Sequence, residues 1–316
     1  MDTKRVIVDT DTAGDDTQAI LLACLSDRLG VEAVTVVAGN VPFDREVENA
    51  IYTLSLVEPD PPVYEGARTP LLKDFEHAEE VHGVGGLGGD LRPEPGVPPA
   101  EGFAPDEIAR RCRDSPGEVS LLCIGPLTNL ALAHAREPEL PDLVDEVWVM
   151  GGAVHCPGNV TPAAEFNLWV DPDAAKRVFA NFEVTLVDWG LTVDHALAED
   201  ELAPVDALET DLAEFFASVT RTVRSFEGGA GPGGVGLPDG LTAALFAYPE
   251  LREAMNTYHV DVDEREGLTR GYTTVDVEDV TGESARTRVV ESADHRGFVD
   301  VIVAMLEHRD PDAGLG

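Results

Sequence analysis

Short apolar runs recur along the first two thirds of the chain, each followed by a segment with apolar residues at helical spacing. Short runs that are apolar without alternation are typical of strands buried on both faces of a parallel sheet. The alternation of such strands with helices predicts an α/β fold with an open, mostly parallel sheet and helices on both faces. The predicted buried strands are residues 6–8, 31–38, 119–124, 147–150 and 184–187.

The last third of the chain has a different pattern. Residues 211–226 have the spacing of a long amphipathic helix, and residues 297–308 that of a closing helix. Between them, residues 258–262, 272–277 and 287–290 alternate apolar and polar, which predicts a short antiparallel C-terminal extension of the sheet. No internal repeat or linker interrupts the pattern, so we expect residues 1–316 to form a single domain.

Acidic residues greatly outnumber basic ones, with 60 Asp and Glu against 22 Lys and Arg. The formal net charge of −38 repels nucleic acid and anionic membranes, so we expect neither as a partner. The acidic residues are spread along the chain and do not form a tail, which indicates adaptation of the whole surface to concentrated salt. We therefore hypothesise a halophilic source.

The four cysteines include no CxxC pair, and three of them lie in or beside apolar runs, where free buried thiols are usual. No apolar run approaches the length of a membrane span, and no signal peptide precedes the first predicted strand. We expect a cytoplasmic protein.

The candidate chemistry begins at the end of the first predicted strand, where four carboxylates occur within eight residues: Asp9, Asp11, Asp15 and Asp16. Alternation along the strand end lets Asp9 and Asp11 point the same way, and the loop returns the other two to that place. Carboxylates this crowded stay ionised only beside positive charge, which a hard divalent cation with oxygen ligands supplies. The alternative is that Asp15 or Asp16 only caps the following helix.

Polar residues also follow other predicted strands, which is where an open α/β sheet places its ligand contacts. Asn40 follows the second strand, and residues 125–129, Gly-Pro-Leu-Thr-Asn, form a turn after the strand at 119–124. A later loop contains Asn159, Glu165 and Asn167.

The segment 72–99 is rich in glycine, proline and acidic residues, and it contains His82 directly before a run of glycines. So long a loop inside a compact domain is either functional or disordered. No Gly-Lys-Ser or Gly-Lys-Thr follows the glycines, so a phosphate-binding P-loop is a poor interpretation.

Together these motifs resemble those of the inosine–uridine-preferring nucleoside hydrolase family, in the same order from residue 6 to about residue 245. That family opens with a DTDxGxDD loop, which stands here as residues 9–16 with the glycine moved one place. The combination is highly specific, although GPLTN or HGxxG alone would be weak. The other matching positions are Asn40, the HGxxG element at His82, residues 125–129, Met-Gly-Gly at 150–152, Asn159, Glu165 and Asn167.

The resemblance implies the open α/β fold and the hydrolysis of the N-glycosidic bond of a small ribonucleoside to ribose and free base. It also implies a tightly bound Ca²⁺, with Asp11 as the residue that deprotonates the attacking water, and assembly into a homodimer or homotetramer. The calcium ligands that it implies are Asp11, Asp16, the backbone carbonyl of Thr128 and Asp239. The residues that it implies for the ribose hydroxyls are Asp15, Asn40, Asn159, Glu165 and Asn167.

The chemistry of these residues agrees with that reaction. Hydrolysis at an anomeric carbon passes through an oxocarbenium-like state, which needs a base on one face and help for the leaving group on the other. Amides and carboxylates are apt partners for ribose hydroxyls. Taken singly, Asn159 could instead be a turn residue and Asn167 a helix-start residue.

One position departs from the family. Its members often carry His-Asp before the helix of the last metal ligand, the histidine being the leaving-group acid, whereas this chain has Pro238-Asp239. Proline has no proton to give, so three routes remain open. His82 could close over the site as the acid, and this is the route that we expect first. His195 could approach from the rim of the sheet, or no side chain acts and the base stacks on an aromatic such as Trp189.

Two other functions fit parts of the sequence. Residues 6–12 also fit the opening of haloacid-dehalogenase phosphatases, with Asp9 as the nucleophile, but the basic residue and the second acidic pair of that chemistry have no clear counterpart. A non-catalytic ribose- or nucleoside-binding protein is the other alternative, and Pro238 is its best argument. The sequence leaves open the base that is cut and whether phosphorylated ribosides are accepted.

Overall fold

A single sheet forms the centre of the computed structural model, which describes residues 3–89, 91, 93, 96–225 and 234–308. Within these residues the sheet has nine strands, in the order third, second, first, fourth, fifth, sixth, ninth, seventh and eighth. The strands are β1 (Lys4–Thr10), β2 (Leu29–Val36), β3 (Val63–Glu65), β4 (Val119–Cys123), β5 (Val147–Met150), β6 (Val184–Val187), β7 (Arg252–Val262), β8 (Thr273–Asp276) and β9 (Thr287–Ala293).

The first six strands are parallel, which confirms the predicted open, mostly parallel sheet. The predicted short antiparallel extension is also confirmed, because β7 pairs antiparallel with β8 and with β9, while β9 itself runs parallel to β6. The alternating pattern at 287–290 therefore reflects a strand at the junction of the two parts.

Successive residues of β1 pack into two different hydrophobic clusters. Val6 and Val8 belong to one cluster and Ile7 to the other, and all three are at most 1% exposed. A strand covered on both faces has no polar side, which explains why its sequence is apolar without alternation.

Helices cover both faces, and the chain alternates between strand and helix up to β6. The helices within the described residues are α1 (Asp16–Leu25), α2 (Phe43–Leu54), α3 (Glu79–His82), α4 (Ala104–Asp114), α5 (Thr128–Arg136), α6 (Leu140–Leu143), α7 (Phe166–Val170), α8 (Pro172–Asn181), α9 (Trp189–Asp194), α10 (Glu199–Asp206), α11 (Asp211–Val219), α12 (Arg221–Ser225), α13 (Pro238–Ala247) and α14 (His295–Leu306).

Two predicted helices have different limits in the structure. The helix predicted at 211–226 is divided into α11 and α12 at Thr220, whose hydroxyl donates to the carbonyl of Phe216 at 2.7 Å. A hydroxyl that bonds back onto the preceding turn bends a helix. The closing helix predicted at 297–308 runs from His295 to Leu306 as α14, and it begins directly after Asp294, whose side chain accepts from the N–H of Gly297.

The register of the central strands determines where their ends meet. Asp9 of β1 lies beside Thr35 of β2 and Cys123 of β4. The loops that follow these three strands therefore leave the same edge of the sheet, where an open α/β fold binds its ligands. In the part of the chain that the structure describes, no helix is both long and apolar enough to cross a membrane.

Candidate functional site

A cavity of about 430 Å³ lies at the carboxyl edge of the parallel strands. Its walls come from the loop after β1, the loop after β2, the segment 76–82, the loop between β5 and α7, and the start of α13. The predicted site residues that line it are Asp15, Asn40, His82, Asn159, Glu165, Asn167, Trp189 and Asp239.

Two further predicted residues, Asp11 and Asp16, are fully buried and contact the wall from behind. Asp16 accepts hydrogen bonds from the Thr10 hydroxyl at 2.6 Å, the Ala13 N–H at 3.1 Å and the Asn40 side-chain amide at 3.2 Å. Asp11 Oδ2 accepts from the Asn40 N–H at 3.0 Å. Asn40 thus joins both carboxylates to the cavity.

The other oxygen of Asp11, Oδ1, is buried without a hydrogen-bond partner among the described residues. Two glycines leave room around this carboxylate. A Cβ on Gly39 would lie 2.0 Å from Asp11 Oδ2, and one on Gly125 would lie 2.7 Å from Oδ1. Any side chain at either position would displace Asp11, so both glycines are required by the close approach of the chain.

Asp239 completes the acidic group from the opposite side. It lies in the first turn of α13, and its N–H donates to Asp15 Oδ2 at 3.0 Å. Burial raises the pKa of Asp15 to about 6. Burial, followed by the charges of Asp15 and Asp16, also raises the pKa of Asp239. The structure therefore brings together all four acidic residues at 11, 15, 16 and 239.

A fifth buried carboxylate, Glu46 of α2, was missed by the sequence analysis. Its Oε1 accepts from the N–H groups of Gly39 and Val41 at 2.9 and 3.1 Å. Burial, then the charges of Asp16 and Glu46, raises the pKa of Asp11. Glu46 occupies an ordinary helical position in the sequence, so only the packing of α2 against the acidic loop identifies it.

The acidic group has the chemistry of a site for a hard cation. Burial and mutual repulsion oppose its ionisation, its ligand atoms are all oxygen, and one oxygen of Asp11 has no hydrogen-bond donor. The carboxylates are turned towards protein donors, so among the described residues no three His, Cys, Asp or Glu side chains already surround one point as metal ligands. The donor set fits a cation once the carboxylates reorient.

Thr128, the expected source of a backbone carbonyl ligand, turns its side chain away from the cavity. Thr128 begins α5, its hydroxyl donates to Asp171 Oδ2 at 2.7 Å, and it does not line the cavity. Ile124, the residue directly after β4, lines the cavity instead, and its carbonyl accepts from the Asn167 side-chain amide at 3.0 Å. The turn at 125–127 separates the two residues, and Ile124 at the strand end places its backbone carbonyl at the cavity wall.

The loop before α7 supplies the opposite wall. Glu165 caps α7, with Oε1 accepting from the Asn167 N–H and Oε2 from the N–H groups of Gly152 and Leu168. Burial raises the pKa of Glu165 to about 7. The exposed Asn159 accepts from the N–H of Phe166 at 2.9 Å. The side chains of Glu165 and Asn159 therefore also order the loop, in addition to the role in ribose binding that the resemblance implies.

The three routes for the leaving group are distinguished by position. His82 lines the cavity beside Gly14, and burial lowers the pKa of His82 to about 4. The ring is therefore neutral at pH 7, which argues against its role as a proton donor. His195 is not among the cavity residues, because its nitrogens contact the carbonyls of Leu191 and Ala293 at 2.8 and 2.9 Å. Trp189 lines the cavity.

Asp9, the nucleophile of the phosphatase alternative, does not reach the cavity. Its Oδ1 accepts from the Thr35 hydroxyl at 2.6 Å and from the Asn129 amide at 2.8 Å, and the residue is fully buried. A nucleophile must contact its substrate, so the phosphatase alternative is not supported by the structure.

The segment 76–82 contributes residues that the sequence analysis did not single out. Glu76, His77 and Glu80 line the cavity, and His77 Nδ1 lies 2.8 Å from the carbonyl of Gly39. A carbonyl only accepts, so Nδ1 carries the proton and Nε2 of the neutral ring is an acceptor. Glutamates in a chain with so many acidic residues give no local signal, which is why they were missed.

Comparison with known proteins gives one consistent answer over the whole chain. A family model described as inosine-uridine preferring nucleoside hydrolase matches residues 6–300. The chain is 36% identical over 309 residues to the pyrimidine-specific ribonucleoside hydrolase RihA of Shewanella woodyi, covering 96% of this chain and 98% of that protein. It is 35% identical over 316 residues to RihA of Salmonella enteritidis, with the same coverage.

Solved structures agree with these sequence similarities. A plant nucleoside hydrolase superposes with a TM-score of 0.90 at 28% identity, covering 96% of this chain and 98% of that one. The purine-preferring ribonucleoside hydrolase from Gardnerella vaginalis superposes with a TM-score of 0.87 at 30% identity and the same coverage.

Proposed function

The chain belongs to the inosine-uridine preferring nucleoside hydrolase family, and on this premise we propose that it cleaves the N-glycosidic bond of ribonucleosides to ribose and free base. The observation that carries the proposal is the convergence of Asp11, Asp15, Asp16 and Asp239 at the carboxyl edge of the sheet, opposite Glu165 and Asn167. This arrangement provides a base and hydroxyl-binding groups on two sides of one small cavity.

We propose that the cofactor is Ca²⁺, held by Asp11, Asp16, Asp239 and the backbone carbonyl of Ile124. Oxygen-only ligands favour a hard cation such as Ca²⁺ over Zn²⁺. When bound, the ion would orient the attacking water and ribose hydroxyls and lower the pKa of that water.

Asp11 is the proposed base. Its Oδ1 is the one oxygen of the Asp11–Asp16 pair that no protein donor occupies, and Gly125 leaves space next to it. Asn40 and the buried surroundings fix the orientation of the carboxylate, so that a water molecule beside Oδ1 would lose its proton to Asp11 as it attacks the anomeric carbon.

Ribose recognition is assigned to Asp15, Asn40, Asn159, Glu165 and Asn167, which all line the cavity. The Asn167 amide donates to the carbonyls of Ile124 and Met150, which fixes the side chain and leaves its Oδ1 free of described protein donors. A fixed amide oxygen is a good acceptor for a sugar hydroxyl.

The test is release of free base from a panel of nucleosides, measured by chromatography in high salt with calcium. The relatives include proteins named for pyrimidine and for purine substrates, so the panel pairs uridine and cytidine with inosine and adenosine. Asp11→Asn removes the base while keeping the side-chain shape, and we expect it to lower kcat by at least about 100-fold. Binding of nucleosides without base release would instead support a non-catalytic binding protein.

A further inference from the structure

The cavity has an excess of acidic side chains. Five of its lining residues are carboxylic acids, and within the described residues no lysine or arginine lines it. A bound divalent cation would cancel two negative charges and still leave the cavity with an excess of negative charge. The five residues are Asp15, Glu76, Glu80, Glu165 and Asp239.

The arginines near the wall have protein partners. Arg224, next to the lining residue Val223, pairs with Asp206 at 2.7 Å. The guanidinium of Arg270 packs 4.4 Å from the ring centroid of Trp169 and donates to the carbonyls of Trp169, Val170 and Asp74. Its Nη1 also lies 3.7 Å from Glu266. The group is not among the cavity residues, and its donors are occupied by protein acceptors.

Glu76 and Glu80 are the carboxylates that the proposed reaction does not use. Both are exposed at the mouth of the cavity, and neither has an ion-pair partner among the described residues. Phe166 and Trp189, which are half-buried, offer aromatic surface in the same cavity. Aromatic faces and carboxylates together attract an organic cation.

The candidates that the sequence offered as leaving-group acids are poorly suited to that role. Proline at position 238 has no proton to donate, and His195 is not among the cavity residues. His82 is neutral at pH 7 because burial lowers its pKa to about 4. The site is therefore best suited to a base that leaves without being protonated.

We propose that the preferred substrate is a cationic riboside whose base is a pyridinium ring, such as nicotinamide riboside. Water attacks the anomeric carbon, and the electron pair of the broken C–N bond returns to the ring nitrogen. The base leaves as a neutral molecule, and the proton of the attacking water is released to solvent through Asp11. The reaction needs no leaving-group acid, and the positive substrate charge complements the cavity.

This inference rests on the proposed hydrolase function, so the experiment separates the two. Base release is measured for nicotinamide riboside, uridine, inosine and p-nitrophenyl riboside, whose leaving group also needs no proton. We expect kcat/KM for nicotinamide riboside to exceed that for the better neutral nucleoside by at least about tenfold. Nicotinic acid riboside, which adds one carboxylate to the same ring, and nicotinamide mononucleotide, which adds a phosphate, should each be cut at least about tenfold less well.

The role of the glutamates is tested by the double variant Glu76→Gln/Glu80→Gln, at the lowest salt that preserves the circular dichroism spectrum. We expect the ratio of kcat/KM for nicotinamide riboside to that for p-nitrophenyl riboside to fall by about threefold or more. Rising salt should shrink this difference. The matched control is the double variant Glu278→Gln/Glu283→Gln, at two exposed residues outside the cavity, which makes the same charge change.

Three results overturn the inference. If uridine or inosine is hydrolysed as efficiently as nicotinamide riboside, the substrate assignment is wrong while the hydrolase function stands. If the double variant leaves the ratio unchanged, the glutamates do not select the cation. If none of the ribosides releases its base, including p-nitrophenyl riboside, the proposed hydrolase function itself fails.

Discussion

Asp16 accepts hydrogen bonds from three protein donors, and burial raises its pKa to about 7. If it holds calcium, Asp16→Ala should lose bound metal and activity together, because one of the three carboxylate ligands is removed. Metal content is measured by mass spectrometry after dialysis. The control is Asp27→Ala, an exposed residue at the far end of α1. An Asp16→Ala protein that retains calcium and turns over normally contradicts the assignment.

Asn167 is the residue whose contact with the sugar is most directly testable. Asn167→Ala removes the contact with the 2′-hydroxyl, so the variant no longer gains from that hydroxyl when it binds the ribonucleoside. The ratio of kcat/KM for the ribonucleoside to that for the 2′-deoxyribonucleoside should therefore fall by about fivefold. The measurement is the ratio of kcat/KM for uridine and deoxyuridine. Asn256→Ala, outside the cavity, is the control. An unchanged ratio removes Asn167 from contact with the missing hydroxyl.

His82 has a pKa of about 4, so a proton donated by its imidazolium would be available mainly below that pH. An acid of this pKa would make the rate on uridine rise as the pH falls from 8 to 6, relative to p-nitrophenyl riboside. We expect this relative rate to stay flat and to be unaffected by His82→Ala. Selective slowing of uridine by about tenfold in the variant would restore His82 as the acid.

At the scale of elements, the start of α13 joins the acidic group to the wall of the cavity. Pro238 lines the cavity as the first residue of this helix, and Asp239 follows it. The first helical position needs no N–H partner, so other residues replace proline there at modest cost.

Pro238→His therefore places an imidazole at the cavity without moving the helix. We expect kcat on uridine or inosine to rise by about tenfold or more, with little change for p-nitrophenyl riboside, which needs no acid. Pro249→His, at the helical turn after α13, is the matched control. Equal acceleration of both kinds of substrate would mean that the substitution altered binding and supplied no proton.

At the scale of the whole molecule, the charge of −38 is the dominant feature. Like charges over one surface destabilise the compact state, and salt screens them over a shorter distance as its concentration rises. We expect the melting temperature at constant calcium to rise by more than about 10 °C between 0.1 and 2 M KCl. Sucrose at matched osmolality serves as the uncharged control. Full structure and activity at low ionic strength would refute the halophilic hypothesis.

The sequence determined the sheet and the position of its acidic loop. Short continuous apolar runs are typical of strands that are covered on both faces, so β1, β4, β5 and β6 could be located without coordinates. Residues 9–16 follow directly after the first of these runs, and chain continuity then places Asp11, Asp15 and Asp16 at its end.

The tertiary structure decided which side chains reach the cavity. Asp9 lies two residues before Asp11 but turns towards Thr35 and Asn129, and Glu46 reaches the acidic group from a helix. Ile124 lines the cavity at the strand end, whereas Thr128 begins the helix after the turn. Sequence patterns record which face of an element is buried, whereas side-chain contacts across loops depend on how separate elements pack.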